Sequence, residues 1–134
     1  MQPKISIKNL SFTYPDGKTA LKNITLDIPP NEVFVLFGPS RSGKSTLLRL
    51  LNRLSDLTAG SHHEGSILFN GQDIFARDIN VSDLRRRVSM VFAVPTPLPG
   101  SIRDNLTYGL RMAGMGDAQL LEERVVRSLK QAAL

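Results

Sequence analysis

The sequence contains no cysteine and no tryptophan, and its aromatics come to six phenylalanines and two tyrosines. Without cysteine, disulfides and thiolate metal sites are excluded, which is compatible with a reducing cytosol. No zinc finger, aromatic stacking platform or basic heptad region is present, so the common routes to nucleic acid are closed. Long apolar runs are also missing. The longest strongly apolar stretch, Val33 to Phe37, has the length of a strand and falls far short of the roughly 20 residues that span a bilayer. The opening Met1-Gln2-Pro3-Lys4-Ile5-Ser6-Ile7 alternates like a strand and carries no signal-peptide core. The 134 residues leave room for one domain with its own core but hardly for two.

Acidic residues are outnumbered. Seventeen Lys and Arg against twelve Asp and Glu leave a net charge of +5. The basic residues are scattered, and the one dense run, Arg85-Arg86-Arg87, reads as a solvated helix end rather than a nucleic-acid site. A basic balance also suits work beside an anionic membrane surface.

Along the chain, Ile5-Ser6-Ile7 leads through Phe12-Thr13-Tyr14 to a turn at Pro15-Asp16-Gly17, and Leu21 to Ile28 alternates again. Pro29-Pro30-Asn31 closes this antiparallel section. Glu32 to Phe37 reads as a strand buried on both faces. After Gly38–Ser45, Leu47, Leu48, Leu50, Leu51 and Leu54 recur at helical spacing. Ser61 to Gly65 reads as a polar loop. Ser66 to Phe69 and Gln72 to Phe75 flank Asn70-Gly71, which suits a tight I′ hairpin. A short helix is predicted over Val81 to Arg87 with Ser82 as its cap, then a second buried strand over Val88 to Phe92. The prolines of Val94 to Gly100 make a stiff connector, a better reading than a polyproline ligand. Ser101 caps a helix to about Met112, Gly114-Met115-Gly116 breaks it, and Asp117 caps a last helix carrying Leu120, Leu121, Val125, Val126 and Leu129.

Gly38-Pro39-Ser40-Arg41-Ser42-Gly43-Lys44-Ser45 matches the P-loop pattern G-x-x-x-x-G-K-[ST] without a mismatch. Glycine lets the backbone fold so that successive N–H groups converge on one anion. Lys44 sets an ammonium against the β- and γ-phosphates, and the Ser45 hydroxyl can ligate Mg²⁺. The helix that begins here aims its positive dipole end at the same place. The apolar stretch before and amphipathic stretch after the loop favour this reading over a glycine turn with a surface lysine. The candidate binding residues are therefore Gly38 to Ser45 with the adjoining Thr46, for ATP and Mg²⁺, and Ser45 is the one candidate metal ligand. Asp73 and Asp78 lack a partner pattern and read as surface charge. His62 and His63 read as solvated loop histidines, not a metal site.

The flanks resemble those of ABC-transporter ATPases. The resemblance is carried by Phe12 to Gly17, Ala20 to Ile28, Gly65 to Ile74, and Leu84 to Val88 followed by Met90-Val91-Phe92. Within that family, Leu51 to Leu54, Pro95 to Pro99, Ser101 to Asn105, Tyr108 to Arg111 and Arg127 to Leu134 are most similar to the ATPases of bacterial phosphate importers. The resemblance implies an α/β P-loop fold, incomplete in 134 residues, as the N-terminal part of one ATP-binding domain. Residues 1–30 would be the antiparallel β region, 31–93 part of the P-loop core, 94–100 a linker like the family's Q-loop, and 101–134 the start of a helical subdomain. It also implies that Tyr14 stacks on adenine, a reading its place beside the turn favours over a core aromatic.

Partners implied by the resemblance are transmembrane permease subunits and a second ATP-binding subunit in a head-to-tail dimer, on the inner face of the cell membrane. Two departures bear on activity. Ala93 stands where the Q-loop glutamine would help ligate Mg²⁺ and orient water, and Arg41 stands where many members have glycine. The LSGGQ-type signature, the Walker B strand with its catalytic glutamate and the switch histidine have no match in the 134 residues. Hydrolysis by these residues alone is therefore not expected, and neither is robust folding, because an unpaired sheet edge would be exposed. Two functions follow as expectations: the truncated ATP-binding subunit of an importer, with phosphate as solute, or a non-catalytic remnant or nucleotide-dependent interaction module without ATPase activity. A small-molecule P-loop kinase is disfavoured, since nothing resembles a lid or an acceptor site.

Overall fold

The computed structural model describes residues 2–133; Met1 of the predicted first strand and Leu134 of the family-like ending lie outside them. The chain divides into two compact units, Met1–Val91 and Phe92–Leu134. In the first, strands β1 (Ile5–Thr13), β2 (Thr19–Ile28), β3 (His62–Phe69) and β4 (Gln72–Asp73) form an antiparallel sheet in the order β2-β1-β3-β4. Helices α1 (Lys44–Leu51) and α2 (Val81–Arg87) add to this unit, and a 3₁₀ turn, Leu54–Leu57, follows α1.

Strict alternation along β1 would put Ile7 on one face and Leu10 and Phe12 on the other. A bulge resolves the conflict. Between Ile7 and Leu10 the register with β2 slips by a residue, from Ile7 opposite Leu26 to Leu10 opposite Ile24. Asn9 takes up the extra residue at φ 50, a conformation that asparagine tolerates better than most. Its freed N–H donates to Thr25 Oγ1 at 3.1 Å. A second slip, at Asn23 (φ 49) in β2, is satisfied likewise by Ser11 Oγ at 3.0 Å. Across from the first bulge, Gly65 lies so close to β1 that an added Cβ would come within 2.5 Å of the Lys8 and Asn9 carbonyls.

The two bulges bring Ile7, Leu10, Phe12 and Leu21 into one core with Leu47 and Leu50 of α1, Ile67 and Phe69 of β3, Ile74, and Leu84 of α2. Each fully buried aliphatic side chain here contributes about 1.5–3 kcal/mol. The β3–β4 hairpin turns through Asn70 (φ 51) and Gly71 (φ 82), as its dipeptide predicts.

Three local expectations are corrected. His62 to Gly65 is not a loop but the first half of β3, paired with β1 at Thr13–His62, Phe12–His63 and Ser11–Glu64. The cap of α2 is Asn80, two residues earlier than Ser82; its Oδ1 accepts from the Ser82 and Asp83 N–H groups at 3.0 and 3.2 Å. Neither apolar run forms a strand. Glu32 to Phe37 has no strand assignment, with Val33 94% and Phe37 88% exposed, and Val88 to Phe92 has none, with Val91 96% exposed. A doubly buried parallel strand needs hydrogen-bonded neighbours and covering helices, and no strand among the described residues pairs with either run.

The second unit consists of α3 (Ile102–Met112) and α4 (Ala118–Gln131) behind an irregular stretch that contains Pro95, Pro97 and Pro99. Asn105 ties that stretch to α3, accepting from the Leu98 N–H at 2.7 Å and donating to the Leu98 carbonyl at 2.9 Å. Ser101 and Asp104 form a full capping box on α3, and Asp117 caps α4 through the Leu120 N–H at 2.9 Å, both as predicted. Leu121 and Val125 are buried from α4, Thr107 from α3, and Arg103 pairs with Glu122 between the two helices. Among the described residues no helix is long and apolar enough to cross a membrane.

Candidate functional site

The P-loop ends in Gly43, which stands at the N-cap of α1 with φ 90. No other residue suits the position. A Cβ there would come within 2.6 Å of the Ala20 carbonyl oxygen and 2.9 Å of Leu21 Cδ2, so the loop is pressed directly against β2. The first intrahelical bond of α1 runs from the Leu47 N–H to the Gly43 carbonyl at 2.9 Å. The N–H groups of Lys44, Ser45 and Thr46 therefore precede the helical ladder, and no side chain caps them.

Lys44 folds back over its own loop. Its Nζ donates to the carbonyls of Gly38 at 2.9 Å and Pro39 at 2.6 Å and to Ser42 Oγ at 3.2 Å. The ammonium is thereby held by its own loop. Ser45 is exposed in the first turn of α1, while Thr46 is buried and its hydroxyl shares a 2.9 Å hydrogen bond with that of Tyr14. Tyr14 is half-buried, with its ring edge-on to Phe12 at 5.0 Å between centroids. Tyr14 thus packs against the core and also lines a cavity beside α1. Arg41 has φ 63, the left-handed region, where a non-glycine residue costs roughly 1–2 kcal/mol.

A cavity of about 250 Å³ gathers these groups, lined by Tyr14, Lys18, Thr19, Ala20 and Arg41 to Thr46. Among the described residues three cationic residues line it and no acidic residue does. The loop glycine, the free first-turn N–H groups, the lysine and the exposed hydroxyl make a donor set that suits a polyphosphate and its metal ion. Gly38 and Pro39 line instead a neighbouring, more apolar cavity of about 300 Å³ with Leu21, Ile24, Leu26, Leu36 and Phe37. Ser40 is exposed.

Lys18, Thr19 and Ala20 escaped the sequence reading. Their signal was the Pro15-Asp16-Gly17 turn. Asp16 Oδ1 accepts from the Lys18 N–H at 3.0 Å and Thr13 pairs with Thr19, which returns the chain beside Tyr14. His63 is not solvated: it is half-buried and stacked on Phe75 at 3.8 Å, and burial, then the neighbouring His62, lowers its pKa below the ordinary 6.5. His62 is exposed, as predicted. Asp78 is exposed, and Asp73 closes a turn by accepting from the Phe75 N–H at 3.0 Å. Among the described residues no group of three or more His, Cys, Asp or Glu is placed to hold a metal.

The Arg85–Arg87 run is not one solvated patch either. Arg85 is half-buried and donates to the Asn52 and Arg53 carbonyls after α1, Arg86 pairs with Asp83, and Arg87 lies over the Phe69 ring.

A loop of the P-loop pattern thus lies against β2 and opens the uncapped start of α1. The family profile described as ABC transporter matches residues 21–133, and the chain belongs to that family. Among curated relatives it is 47% identical, over all of its own length and 53% of the other's, to phosphate import ATP-binding protein PstB 2 of Ligilactobacillus salivarius. It is 45% identical, over 99% of its length and 52% of the other's, to phosphate import ATP-binding protein PstB 1 of Streptococcus pyogenes serotype M3. The chain thus spans about half the length of these relatives. Among solved structures it resembles cbiO1 of Clostridium perfringens, part of the ABC transporter complex cbiONQ. The TM-score is 0.78 at 26% identity, covering the whole chain and 52% of that protein.

Proposed function

We propose that this chain forms the phosphate-gripping part of the ATP-binding subunit of an ABC importer, with phosphate as the transported solute. The observation that carries the reading is the loop at Gly43, clamped against β2 and opening the uncapped start of α1, with the Lys44 ammonium held over it. Membership of the family and similarity to phosphate import ATP-binding proteins support the choice of nucleotide and solute.

In this reading the N–H groups of Lys44, Ser45 and Thr46 converge on the β-phosphate, and Lys44 exchanges its loop carbonyls for β- and γ-phosphate oxygens. The exposed Ser45 hydroxyl would be a ligand for Mg²⁺, which would supply neutralisation of part of the triphosphate charge. Tyr14, with its hydroxyl fixed by Thr46, offers a ring to adenine. These residues bind the nucleotide without hydrolysing it, and the subunit works in a head-to-tail pair beneath its permease on the cytoplasmic face.

A second reading, a nucleotide-dependent interaction module without turnover, is favoured by Ala93. An exposed alanine offers neither a metal ligand nor a group to orient water. The first test is equilibrium binding of Mg-ATP to the chain and its Lys44→Ala variant. Loss of one charge-assisted contact, about 1.5–3 kcal/mol, should weaken binding by roughly ten- to a hundredfold. Unchanged affinity would sink the site. Turnover by the chain itself, abolished by Lys44→Ala, would overturn the statement that it binds without hydrolysing.

A further inference from the structure

Three cations line the cavity beside α1, and they are not equivalent. Lys44 is engaged by two loop carbonyls and the Ser42 hydroxyl. Lys18 and Arg41 are exposed, and neither side chain enters a hydrogen bond or ion pair among the described residues. Arg41 also sits at φ 63, a conformation that its side chain disfavours. Strained backbone of this kind persists where its surroundings enforce it and gathers at ligand clamps. The guanidinium repays none of that strain through a partner among the described residues. Arg41 lines the same cavity as Lys44, Ser45 and Thr46, and no carboxylate side chain among the described residues lines it.

We propose that Arg41 is a second phosphate-binding cation, through which this P-loop holds a nucleoside triphosphate even without a divalent metal. The inference rests on the reading of the loop as a nucleotide site and deepens it. A divalent ion ordinarily screens the repulsion among triphosphate oxygens. A guanidinium can do part of that work, because its planar donor fork meets two phosphate oxygens at once. The proposal concerns binding only: no bond is made or broken. Because Arg41 is exposed, its contribution is screened by salt and should fade as ionic strength rises.

The test is an equilibrium fluorescence titration of the 134-residue chain with mant-ATP, once with excess Mg²⁺ and once with EDTA, at low and high salt. Wild-type chain, Arg41→Gln, Arg41→Lys, Arg41→Gly and Lys44→Ala are compared. The proposal expects wild type to keep mant-ATP in EDTA within about tenfold of its Mg²⁺ affinity. Arg41→Gln should lose a further tenfold or so in EDTA at low salt and much less with Mg²⁺, while Arg41→Lys keeps most of the metal-free binding. Arg41→Gly removes charge and strain together, so it should match Arg41→Gln in binding while melting higher. Equal EDTA affinities for wild type and Arg41→Gln would overturn the role of Arg41. Binding with Mg²⁺ but not in EDTA would overturn the metal-free claim and leave the nucleotide site standing. Failure to bind in both buffers, or insensitivity to Lys44→Ala, would sink the nucleotide site itself and this inference with it.

Discussion

Helices α1 and α3 begin in opposite ways. At α3, Ser101 Oγ accepts from the Asp104 N–H at 3.1 Å and Asp104 reaches back to the Ser101 N–H at 3.0 Å, so the helix start answers its own donors. At α1 the cap is a glycine, no side chain accepts from the first turn, and no acidic residue lies in it. The same backbone chemistry is closed off in one place and held open in the other. A helix start capped by its own sequence has used its donors; an open one with a lysine beside it offers the donor set that suits an anion.

Substitutions can break this contrast, and the largest effect is expected at Gly43. Gly43→Ala would drive a Cβ to 2.6 Å from the Ala20 carbonyl in a conformation with φ 90. The loop must then shift off β2, with loss of Mg-ATP binding by well over the factor expected for Lys44→Ala and a fall in melting temperature. A Gly43→Ala chain that bound and melted like wild type would remove the loop geometry as an explanation. Ser101→Ala strikes the other helix start. It should cost about 1 kcal/mol of stability, read by denaturant unfolding, and leave nucleotide affinity unchanged. If it changed affinity as Lys44→Ala does, the two helix starts would not be doing separate jobs.

The smallest effect sharpens the contrast by pH. Hydrogen bonds from the Ser101 side chain and backbone hold the Asp104 carboxylate below its ordinary 3.8. The folded state therefore binds this proton less readily than the unfolded chain. Its contribution is fully present above 3.8 and disappears as pH falls through the lowered folded value. Acid unfolding followed by circular dichroism should shift towards neutral pH in Ser101→Ala. No shift would mean that the box contributes nothing to acid stability.

Much of the site was legible because its chemistry is local. The P-loop, the Asn70-Gly71 turn and the Ser101 and Asp117 caps depend on residues within a few positions of one another. The residues that were missed depend on distant ones. Lys18 and Thr19 reach the cavity beside α1 only because β2 folds back against both β1 and the loop at Gly43. His63 looked solvated in a polar stretch, but pairing with Phe12 and stacking on Phe75 take it partly out of water.

The sequence by itself determined the start of α1, the Asn70-Gly71 turn and the Ser101 and Asp117 caps, since each is set by hydrogen bonds that close within one or two turns of chain. Tertiary structure decided which face each strand shows, because the bulges at Asn9 and Asn23 reset the alternation that β1 and β2 carry. It also decided that Val33 to Phe37 forms no strand: an apolar sequence can favour a strand, but only a neighbouring strand can accept its hydrogen bonds.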